Sequence, residues 1–311
     1  MKDRLVTLIG GGGFLGRYVA QDLLKAGARV RIAQRDPKAA FHLKTQGGLG
    51  QTQFAAVDVT KYDSVARAVH GSDAVVNLVG ILSGDFHGIQ VEGAGNVAKA
   101  AAAAGASALV QISAIGADAE SSSAYGRSKA EGEAAVRAAF PSATILRPSI
   151  VFGREDQFVN RFAAMISAAP VVPVLRAGAK FQPVYVADVA KVVALSLSEP
   201  DRFGGKTYEL GGADVLTMGQ LIRWIATAIG RDPTIVELPD FAGSALSNLG
   251  FLPGAPITRD QWKMLQSDNV VTGTDGLAAF GITPTPLDAV APGWLVRYRR
   301  EGRFGTLGQA A

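Results

Sequence analysis

The sequence predicts an α/β protein built on a doubly wound parallel sheet with a smaller C-terminal lobe. Short β-branched runs alternate with alanine-rich helical stretches through the first half of the 311 residues. Four consecutive glycines, Gly10 to Gly13, stand between the first apolar run and the first helical pattern. Apolar strands that alternate with helices indicate a parallel sheet covered on both faces, because right-handed crossovers place a helix between successive strands.

Six predicted strands and four predicted helices fill the first half of the chain in order. The predicted strands are RLVTLI (4–9), RVRIAQ (29–34), QTQFAAVDV (51–59), DAVVNLVGIL (73–82), ALVQISAIG (108–116) and ATILRPSIVFG (143–153). The predicted helices are FLGRYVAQDLLKAGA (14–28), YDSVARAVHG (62–71), VEGAGNVAKAAAAAG (91–105) and SAYGRSKAEGEAAVRAAF (123–140).

The alternation changes after about residue 152. The stretch 183–200 predicts a strand, a turn and a helix that return to the sheet, 206–212 a short strand, and 217–230 an amphipathic helix. Between 232 and 256, frequent proline and glycine indicate long loops. We therefore expect a Rossmann-type domain over 1–152, its sheet completed by strands near 181–210, and a smaller substrate or partner lobe over 153–311.

The composition excludes several classes of site. There is no cysteine, so disulfides, thiolate metal sites and cysteine nucleophiles are absent. The three histidines (His42, His70 and His87) do not have the spacing of metal ligands, and we expect no metal site. No apolar run reaches the ~18 residues that a spanning helix needs. Because the N-terminal residues lead directly into a strand, we expect no signal peptide and a cytoplasmic location.

The net charge of +4 is modest, and we expect no nucleic-acid partner. The segment WLVRYRREGRF (294–304) is nevertheless dense in basic and aromatic residues. Such a segment is a solvated terminus or a contact with an anionic membrane surface or an acidic partner.

The glycine-rich turn predicts a dinucleotide site. Gly11, Gly13 and Gly16 fit the simple fingerprint, and Gly10, Gly13 and Gly16 fit the wider-spaced version. Glycines let backbone N–H groups approach a pyrophosphate at the start of the next helix, and the last glycine permits close packing of helix and strand. Phe14 and Leu15 lie within this cradle. The strand before it and the helix after it supply the context that the fingerprint requires.

The end of the second strand decides which nucleotide binds. It reads Gln34, Arg35, Asp36, so no carboxylate occupies the strand end if Gln34 takes that position. Arg35 then suits a 2′-phosphate, and Arg17 could add a second positive charge. Alternatively, Arg35 is a surface residue, Asp36 caps the next helix, and NAD(H) binds. We expect NADP(H) rather than NAD(H).

Two more strand ends fit the same pocket. Asp58 and Val59 follow the third strand and could meet the adenine, and Asn77 to Gly80 end the fourth strand, where a cofactor crosses the sheet edge.

Tyr125 and Lys129 are spaced i, i+4 and therefore project from one helix face. A neighbouring ammonium favours a phenolate and lowers its pKa from an ordinary value near ~10. Ser113, at the end of the fifth strand, could hydrogen-bond a carbonyl or alcohol. These three residues could pass a proton while nicotinamide passes a hydride.

The order of glycine turn, Ser113, Tyr125-x-x-x-Lys129, LRPSIVFG and PVYVADVA resembles the extended or atypical short-chain dehydrogenase/reductase superfamily, near its epimerase/dehydratase branch. Within it, ILRPSIVFGREDQFVNRFA, PVYVADVAKVV and GKTYELGG are similar to the group that contains the nucleotide-binding accessory subunit of respiratory complex I. A related branch is linked to coenzyme Q biosynthesis. The resemblance covers essentially the whole chain.

The resemblance implies roles for several positions. It implies that Gly10, Gly13 and Gly16 hold pyrophosphate and Arg35 a 2′-phosphate. Tyr125 and Lys129 would lie beside the nicotinamide ribose. Pro148 and Ser149 would shape the pocket wall, and Asp188 would keep the fold. The sequence departs from the superfamily pattern at Ile9, at the NLVG of 77–80, and at Gln90, where many members have asparagine.

Three functions follow. The first is an NADP(H)-binding accessory or assembly protein of a respiratory or quinone-biosynthesis complex at the inner membrane face, with a partly structural nucleotide. The second is an NADPH-dependent oxidoreductase that uses Ser113, Tyr125 and Lys129 on a hydrophobic carbonyl or quinone-related substrate. The third is a sugar-nucleotide epimerase or dehydratase, for which the sequence shows no strong acid–base pair or diphosphate-binding lobe.

Overall fold

The computed structural model describes residues 1–248, 250, 257–273 and 276–304. Within the predicted loops of 232–256, residues 249 and 251–256 lie outside the described residues, as do 305–311 and the side chain of Arg303 in the basic segment. The chain divides into two compact units. The first comprises 1–148, 186–210 and 273–283, and the second 149–185, 211–272 and 284–311.

The described residues form thirteen strands and thirteen α-helices. The strands are β1 (Leu5–Ile9), β2 (Arg29–Gln34), β3 (Thr52–Ala56), β4 (Ala74–Asn77), β5 (Ala108–Ile112), β6 (Thr144–Pro148), β7 (Val151–Phe152), β8 (Val171–Leu175), β9 (Lys180–Phe181), β10 (Val184–Tyr185), β11 (Thr207–Leu210), β12 (Leu216–Thr217) and β13 (Thr234–Leu238). The helices are α1 (Phe14–Lys25), α2 (Tyr62–Val69), α3 (Gly93–Ala103), α4 (Ala124–Ala139), α5 (Val159–Ala168), α6 (Val186–Ser198), α7 (Pro200–Phe203), α8 (Met218–Ala228), α9 (Asp240–Asn248), α10 (Arg259–Met264), α11 (Gly276–Ala279), α12 (Leu287–Val290) and α13 (Pro292–Leu295).

The first unit is organised by a seven-stranded sheet in the order β11-β6-β5-β4-β1-β2-β3. Every neighbouring pair in this sheet is parallel. The strand order reverses between β1 and β4, and at such a point the loops after the two strands diverge and leave a crevice at their carboxyl ends. The prediction of a doubly wound parallel α/β sheet is confirmed.

Helices cover both faces of this sheet. α2, α3 and α4 bury one face, where Ile9, Val75 and Leu109 of three adjacent strands join their apolar side chains. α1 and α6 pack against each other and against β2 and β5. A strand that is buried on both faces has no solvent-exposed face for polar side chains, which explains the continuous apolar runs in the sequence.

The second unit has its own apolar core. Val172 and Val174 of β8 pack with Leu221, Ile222 and Ile225 of α8. Its strands form two-stranded sheets, β7 with β10, β9 with β12, and β8 with β13. A capping box at Thr217 and Gln220 starts α8.

Several elements differ from the patterns expected from sequence. The strand at Val184–Tyr185 pairs with β7, and β11 instead completes the large sheet beside β6. The helix expected from 91 is preceded by a π-helical segment, His87–Glu92. The predicted loops of 232–256 contain β13 and α9. Among the described residues, no helix is both long enough and apolar enough to cross a membrane.

Candidate nucleotide-binding site

The turn between β1 and α1 depends on its glycines. Gly10 has φ +80°, a left-handed conformation that side chains rarely adopt. A Cβ added to Gly16 would lie 2.3 Å from the carbonyl oxygen of Gly11, so this glycine allows α1 to pack on the strand end. Gly13 differs, because it is exposed and a Cβ there would meet its nearest atom at an ordinary 3.4 Å. The space in front of Gly13 is therefore open.

α1 begins in this open space. Its N-cap residue is Gly13, with φ −77° and ψ −175°, so no side chain at the cap position accepts a bond from the first amides. Phe14 and Leu15 follow, both half-buried. The first amides of a helix point outward and carry a partial positive charge, which suits a phosphate. The predicted cradle residues thus surround one helix start.

The end of β2 faces the same turn. Gln34 is the last residue of the strand, and its side chain lies over Gly12, where a Cβ would be 1.9 Å from the Gln34 Oε1. Asp36 caps the following 3-10 helix, its Oδ1 accepting from the Lys38 N–H at 3.0 Å. Arg35 is exposed between them. A neutral amide therefore occupies the strand end, and the nearby carboxylate is engaged in capping.

Arg17, predicted as a second cation, lies on the first turn of α1. Its Nη2 is 3.5 Å from the Nε2 of His42, on the 3-10 helix that follows β2. The two segments that flank the predicted ribose position are thus in contact.

The side chains after β3 and β4 bond within the protein. Asp58 accepts from the N–H and the hydroxyl of Thr60, which lowers the pKa of its carboxyl. Val59 is buried, and its carbonyl accepts from Asn96 Nδ2 at 2.9 Å. Asn77 is buried and donates from Nδ2 to Gln111 Oε1 at 2.8 Å. Asp58 and Asn77 therefore use side-chain atoms, and Val59 its carbonyl, in hydrogen bonds within the protein.

Gly80 and Lys129 come together in the structure. A Cβ on Gly80 would be 3.3 Å from the Lys129 Nζ, so the ammonium lies over the bare backbone that follows β4. The same Nζ donates to the carbonyl of Ile112 at 3.5 Å. It is 5.6 Å from the centre of the Tyr125 ring. Phe86 packs edge-to-face on that ring, with 6.1 Å between the ring centres.

Burial dominates the acid–base properties of this pair. It raises the pKa of Tyr125 to about 12, because a phenolate loses its hydration there. This direction is opposite to the lowering that we expected from the adjacent ammonium. Burial also lowers the pKa of Lys129 to about 8, with an opposing contribution from Glu133. The phenol is therefore neutral at neutral pH.

The lowered pKa of Lys129 predicts a pH dependence of stability. Since the folded-state pKa of about 8 lies below the ordinary 10.5, the cost of the buried ammonium is fully present below pH 8 and is relieved as the pH rises from 8 to 10.5. The comparison is between the free energies of unfolding of the nucleotide-free wild type and of Lys129→Met. We expect the wild-type value minus the Lys129→Met value to rise by about 1–3 kcal/mol between pH 7 and pH 10. Urea titrations measure it, and a flat difference would contradict the desolvated ammonium.

Ser113 is engaged away from Tyr125. This buried hydroxyl follows β5 and donates to Glu133 Oε1 at 2.5 Å. Glu133 in turn holds Arg147 of β6 through two bonds, Nε to Oε1 at 2.8 Å and Nη2 to Oε2 at 2.7 Å. The structure thus joins Ser113 to an ion pair rather than to the Tyr125 hydroxyl. Sequence reasoning missed Glu133 and Arg147, although Glu133 lies one turn after Lys129 on the same helix face.

Gln90 links the loop after β4 to α4. It is buried in the π-helical segment and donates from Nε2 to the Ser128 hydroxyl at 2.8 Å. Its Oε1 accepts from the N–H of Ile81 at 3.4 Å. Gln90 thus bridges the residues adjoining Gly80 and Lys129. Its position within a π-helical segment marks it as a functional candidate, whereas the sequence analysis noted it only as a departure from a pattern.

Pro148 ends β6, buried, and its carbonyl accepts from the Ile115 N–H at 3.2 Å. Ser149 belongs to the second unit, where its hydroxyl donates to Asn269 Oδ1 at 2.6 Å. Asp188 is buried at the start of α6 and lies 3.4 Å from the Lys191 Nζ. Among the described residues, no group of three or more His, Cys, Asp or Glu side chains could hold a metal ion.

The first unit therefore fits a dinucleotide on structural grounds. It has a glycine cradle that a Cβ would fill, an open helix start, and a neutral strand end beside an exposed arginine. Lys129, on α4, reaches the end of β5, on the other side of the strand-order reversal from Arg35.

Comparison with known proteins agrees with this geometry. Residues 6–211 match the model of the NAD dependent epimerase/dehydratase family. Over 305 residues the chain is 37% identical to NADH dehydrogenase (ubiquinone) 1 alpha subcomplex subunit 9, mitochondrial, of Mus musculus. The match covers 95% of this chain and 80% of the relative. It is 30% identical over 251 residues to the ceramide reductase of Caulobacter vibrioides, covering 76% of this chain and 74% of that protein.

A solved structure shows the same fold. The NADPH-dependent quinone oxidoreductase of Escherichia coli, complexed with NADPH, superposes with a TM-score of 0.76 at 22% identity. The match covers 93% of this chain and 99% of that one.

Proposed function

The chain belongs to the NAD dependent epimerase/dehydratase family, and on this premise we propose that it keeps NADP(H) as a resident nucleotide and serves as an accessory or assembly protein of a respiratory or quinone-handling complex. The proposal includes a cytoplasmic location at the inner membrane face. The mouse relative, by its name a subunit of NADH dehydrogenase, supports the choice of partner.

The observation that carries the proposal is the contrast between the cradle and the proton relay. The cradle at Gly10, Gly13 and Gly16 is complete. The relay is not poised, because Ser113 donates to Glu133 and burial raises the pKa of Tyr125 to about 12. A catalytic acid works best with a pKa near the working pH. We therefore assign these residues to nucleotide binding rather than to catalysis.

Different residues of the first unit would bind different parts of the nucleotide. A nicotinamide nucleotide supplies hydride transfer when it is bound. The first amides of α1 would bind its pyrophosphate, and Gly13 leaves room for that approach. The Lys129 ammonium and the neutral Tyr125 hydroxyl would donate hydrogen bonds to the nicotinamide ribose. The ribose oxygens would replace part of the hydrogen bonding to water that the ammonium loses on burial.

NADP(H) is proposed over NAD(H) because of the end of β2. Gln34 offers no carboxylate to a 2′-hydroxyl, and the Asp36 carboxylate caps the next helix. Arg35 is exposed beside them and can bind a phosphate through two parallel bonds.

We expect Arg35→Gln to weaken NADPH binding by about 10-fold to 100-fold and to leave NADH binding within about 2-fold, since charged hydrogen bonds contribute roughly 1.5–3 kcal/mol. The matched control is Arg29→Gln, because Arg29 is an exposed arginine at the opposite end of the same strand. Fluorescence titrations with both nucleotides give the four affinities. Equal weakening of NADPH binding in the two variants would assign the effect to net charge and remove Arg35 from the site.

A second candidate function is an NADPH-dependent reductase of a hydrophobic carbonyl or a quinone-related substrate. The pairing of Lys129 with Tyr125 favours it, as does the relative named ceramide reductase. In this reading the Tyr125 hydroxyl is the proton donor.

Turnover distinguishes the two functions. NADPH oxidation is followed with short-chain quinones and long-chain aliphatic ketones, for the wild type and for Tyr125→Phe. The accessory role predicts rates that do not differ between the two proteins. A wild-type rate on the order of 1 per second or more that falls at least about 100-fold in Tyr125→Phe would establish the reductase instead.

A further inference from the structure

A cavity of about 480 Å³ lies in the second unit, at the start of the paired strands β8 and β13. The end of α5 and the turn before β13 line it, together with one residue of the basic segment. The lining includes Pro170, Arg231, Asp232, Pro233 and Arg300. This inference rests on the proposed location at the inner membrane face and deepens it; it concerns the second unit alone and needs no nucleotide.

Two arginines, Arg231 and Arg300, line this cavity. Arg231 is half-buried, and Arg300 is exposed and forms no ion pair with any described residue. Asp232 supplies the one carboxylate in the lining, and it is exposed. The lining therefore carries a net positive charge, which attracts a phosphate.

Two other arginines of the basic segment bond within the protein. Arg297 donates to Asn160 Oδ1 at 2.6 Å and to the carbonyl of Arg154 at 3.4 Å. Arg299 donates to the carbonyl of Ala228, at the end of α8, at 3.2 Å. These bonds attach the segment to the unit and direct Arg300 to the cavity.

An apolar sheet face begins where the cavity ends. Val171 and Thr234 directly follow the cavity residues Pro170 and Pro233 and are register partners in the parallel pair. Side chains alternate along a strand, so the exposed face carries Thr234 and the apolar Val171, Pro173, Leu175, Val236 and Leu238. Val171 is 50% exposed and Val236 41%, whereas Val172 and Val174 on the opposite face are buried.

The apolar surface continues past the strands. Phe241 follows β13 at the start of α9 and is 77% exposed. Arg176, directly after β8, pairs with Asp240 at 2.9 Å, which fixes this helix start beside the strand ends. Exposed valine, proline and phenylalanine thus run from the basic cavity along the whole strand pair. A contiguous exposed apolar surface of this kind marks an interaction site.

We propose that this face of the second unit docks on an anionic phospholipid bilayer, with a lipid phosphate in the Arg231–Arg300 cavity and the β8–β13 face against the acyl boundary. A basic cavity beside an apolar strip matches the two halves of a phospholipid, and a fully soluble anion would leave the apolar strip unexplained. Removing two guanidinium groups from such a contact weakens membrane binding by about 30-fold, at roughly 1 kcal/mol each.

The test measures co-sedimentation of the full chain with vesicles of phosphatidylcholine containing 30% phosphatidylglycerol, and with vesicles of phosphatidylcholine alone. The wild type is expected to bind the anionic vesicles at least about tenfold more tightly. Arg231→Gln/Arg300→Gln loses this preference. The matched control, Arg67→Gln/Lys99→Gln, removes the same charge from exposed positions on α2 and α3 and stays within about twofold of the wild type.

The apolar half has its own pair of variants. Val236→Ser/Phe241→Ser is expected to weaken binding to anionic vesicles by about tenfold. Leu49→Ser/Val215→Ser, which changes two exposed apolar residues elsewhere, is not expected to weaken it. If the doubly substituted arginine protein does not fold, Arg300→Gln alone serves, because this side chain is exposed and leaves the core unchanged.

Three results would overturn the proposal. The wild type could bind neither kind of vesicle. Both charge variants could weaken binding equally, which would make the effect one of net charge. Glycerol phosphate at millimolar concentration could bind the cavity while vesicles do not, which would make it a site for a soluble phosphate. Nucleotide affinity measured on the same preparations stays at the wild-type value in every variant, so failure here is separable from failure of the proposed nucleotide site.

Discussion

Gly16→Ala is expected to destabilise the protein by about 3 kcal/mol or more and to abolish nucleotide binding. The added Cβ would lie 2.3 Å from the carbonyl oxygen of Gly11 and 2.7 Å from its Cα, both backbone atoms that cannot rotate away. Overpacking of this kind costs roughly 1–3 kcal/mol even where side chains can adjust. The helix start would move off the strand end, and urea unfolding would show an earlier midpoint.

Gly13→Ala is the matched control. A Cβ there meets its nearest atom at 3.4 Å, and the extended backbone, with φ −77°, suits alanine. We expect stability within about 0.5 kcal/mol of the wild type, together with a loss of NADPH affinity of at least about 100-fold, because the methyl group would occupy the space of the pyrophosphate. Undiminished affinity in Gly13→Ala would show that the nucleotide does not lie over this turn.

Arg147→Met is expected to cost about 3 kcal/mol of stability. It removes both bonds to the Glu133 carboxylate, which is buried and which also accepts from Ser113. Breaking a buried pair from one side leaves an uncompensated charge, at a typical cost of about 3–5 kcal/mol. The lower end applies because the Arg147 side chain is 25% exposed.

Glu133→Gln/Arg147→Met separates the charge effect from packing. Glutamine keeps an acceptor for Ser113 and carries no charge, so we expect the double variant to recover at least about half of the lost stability. Arg137→Met controls for loss of a side chain, because Arg137 is a half-buried arginine on α4, the helix of Glu133, and donates to Thr207. If Arg147→Met costs no more than Arg137→Met, or if the double variant recovers nothing, the ion pair does not hold α4 against β6.

The parts of the site that could be predicted depend on the spacing of residues close together in the sequence. Glycines between an apolar run and a helical pattern predict a nucleotide turn, and the φ of Gly10 and the contacts of Gly16 have the expected character. The i, i+4 spacing of Tyr125 and Lys129 places both on one face of α4, and the structure brings Lys129 to Gly80. Gln34 ends its strand because the apolar alternation ends there.

The parts that sequence reasoning missed depend on distant partners. Ser113 and Tyr125 both follow the pattern, but the partner of Ser113 is decided by Glu133 and by Arg147 from another strand. Burial, which no local pattern reports, sets the pKa of Tyr125. The pairing of β7 with β10 involves two residues on each strand, too few to leave a periodicity in the sequence. Helix α9 lies in a stretch where glycine and proline obscure the helical pattern.

The nucleotide carried by the purified protein decides whether NADP(H) is resident. Protein isolated without added cofactor is denatured, and the released nucleotide is identified and counted for the wild type and for Gly13→Ala. We expect close to one NADP(H) per chain in the wild type and almost none in Gly13→Ala, with both proteins folded. Two results would rule this out: a wild type that carries no nucleotide and binds none on titration, or equal amounts of nucleotide in the wild type and in Gly13→Ala.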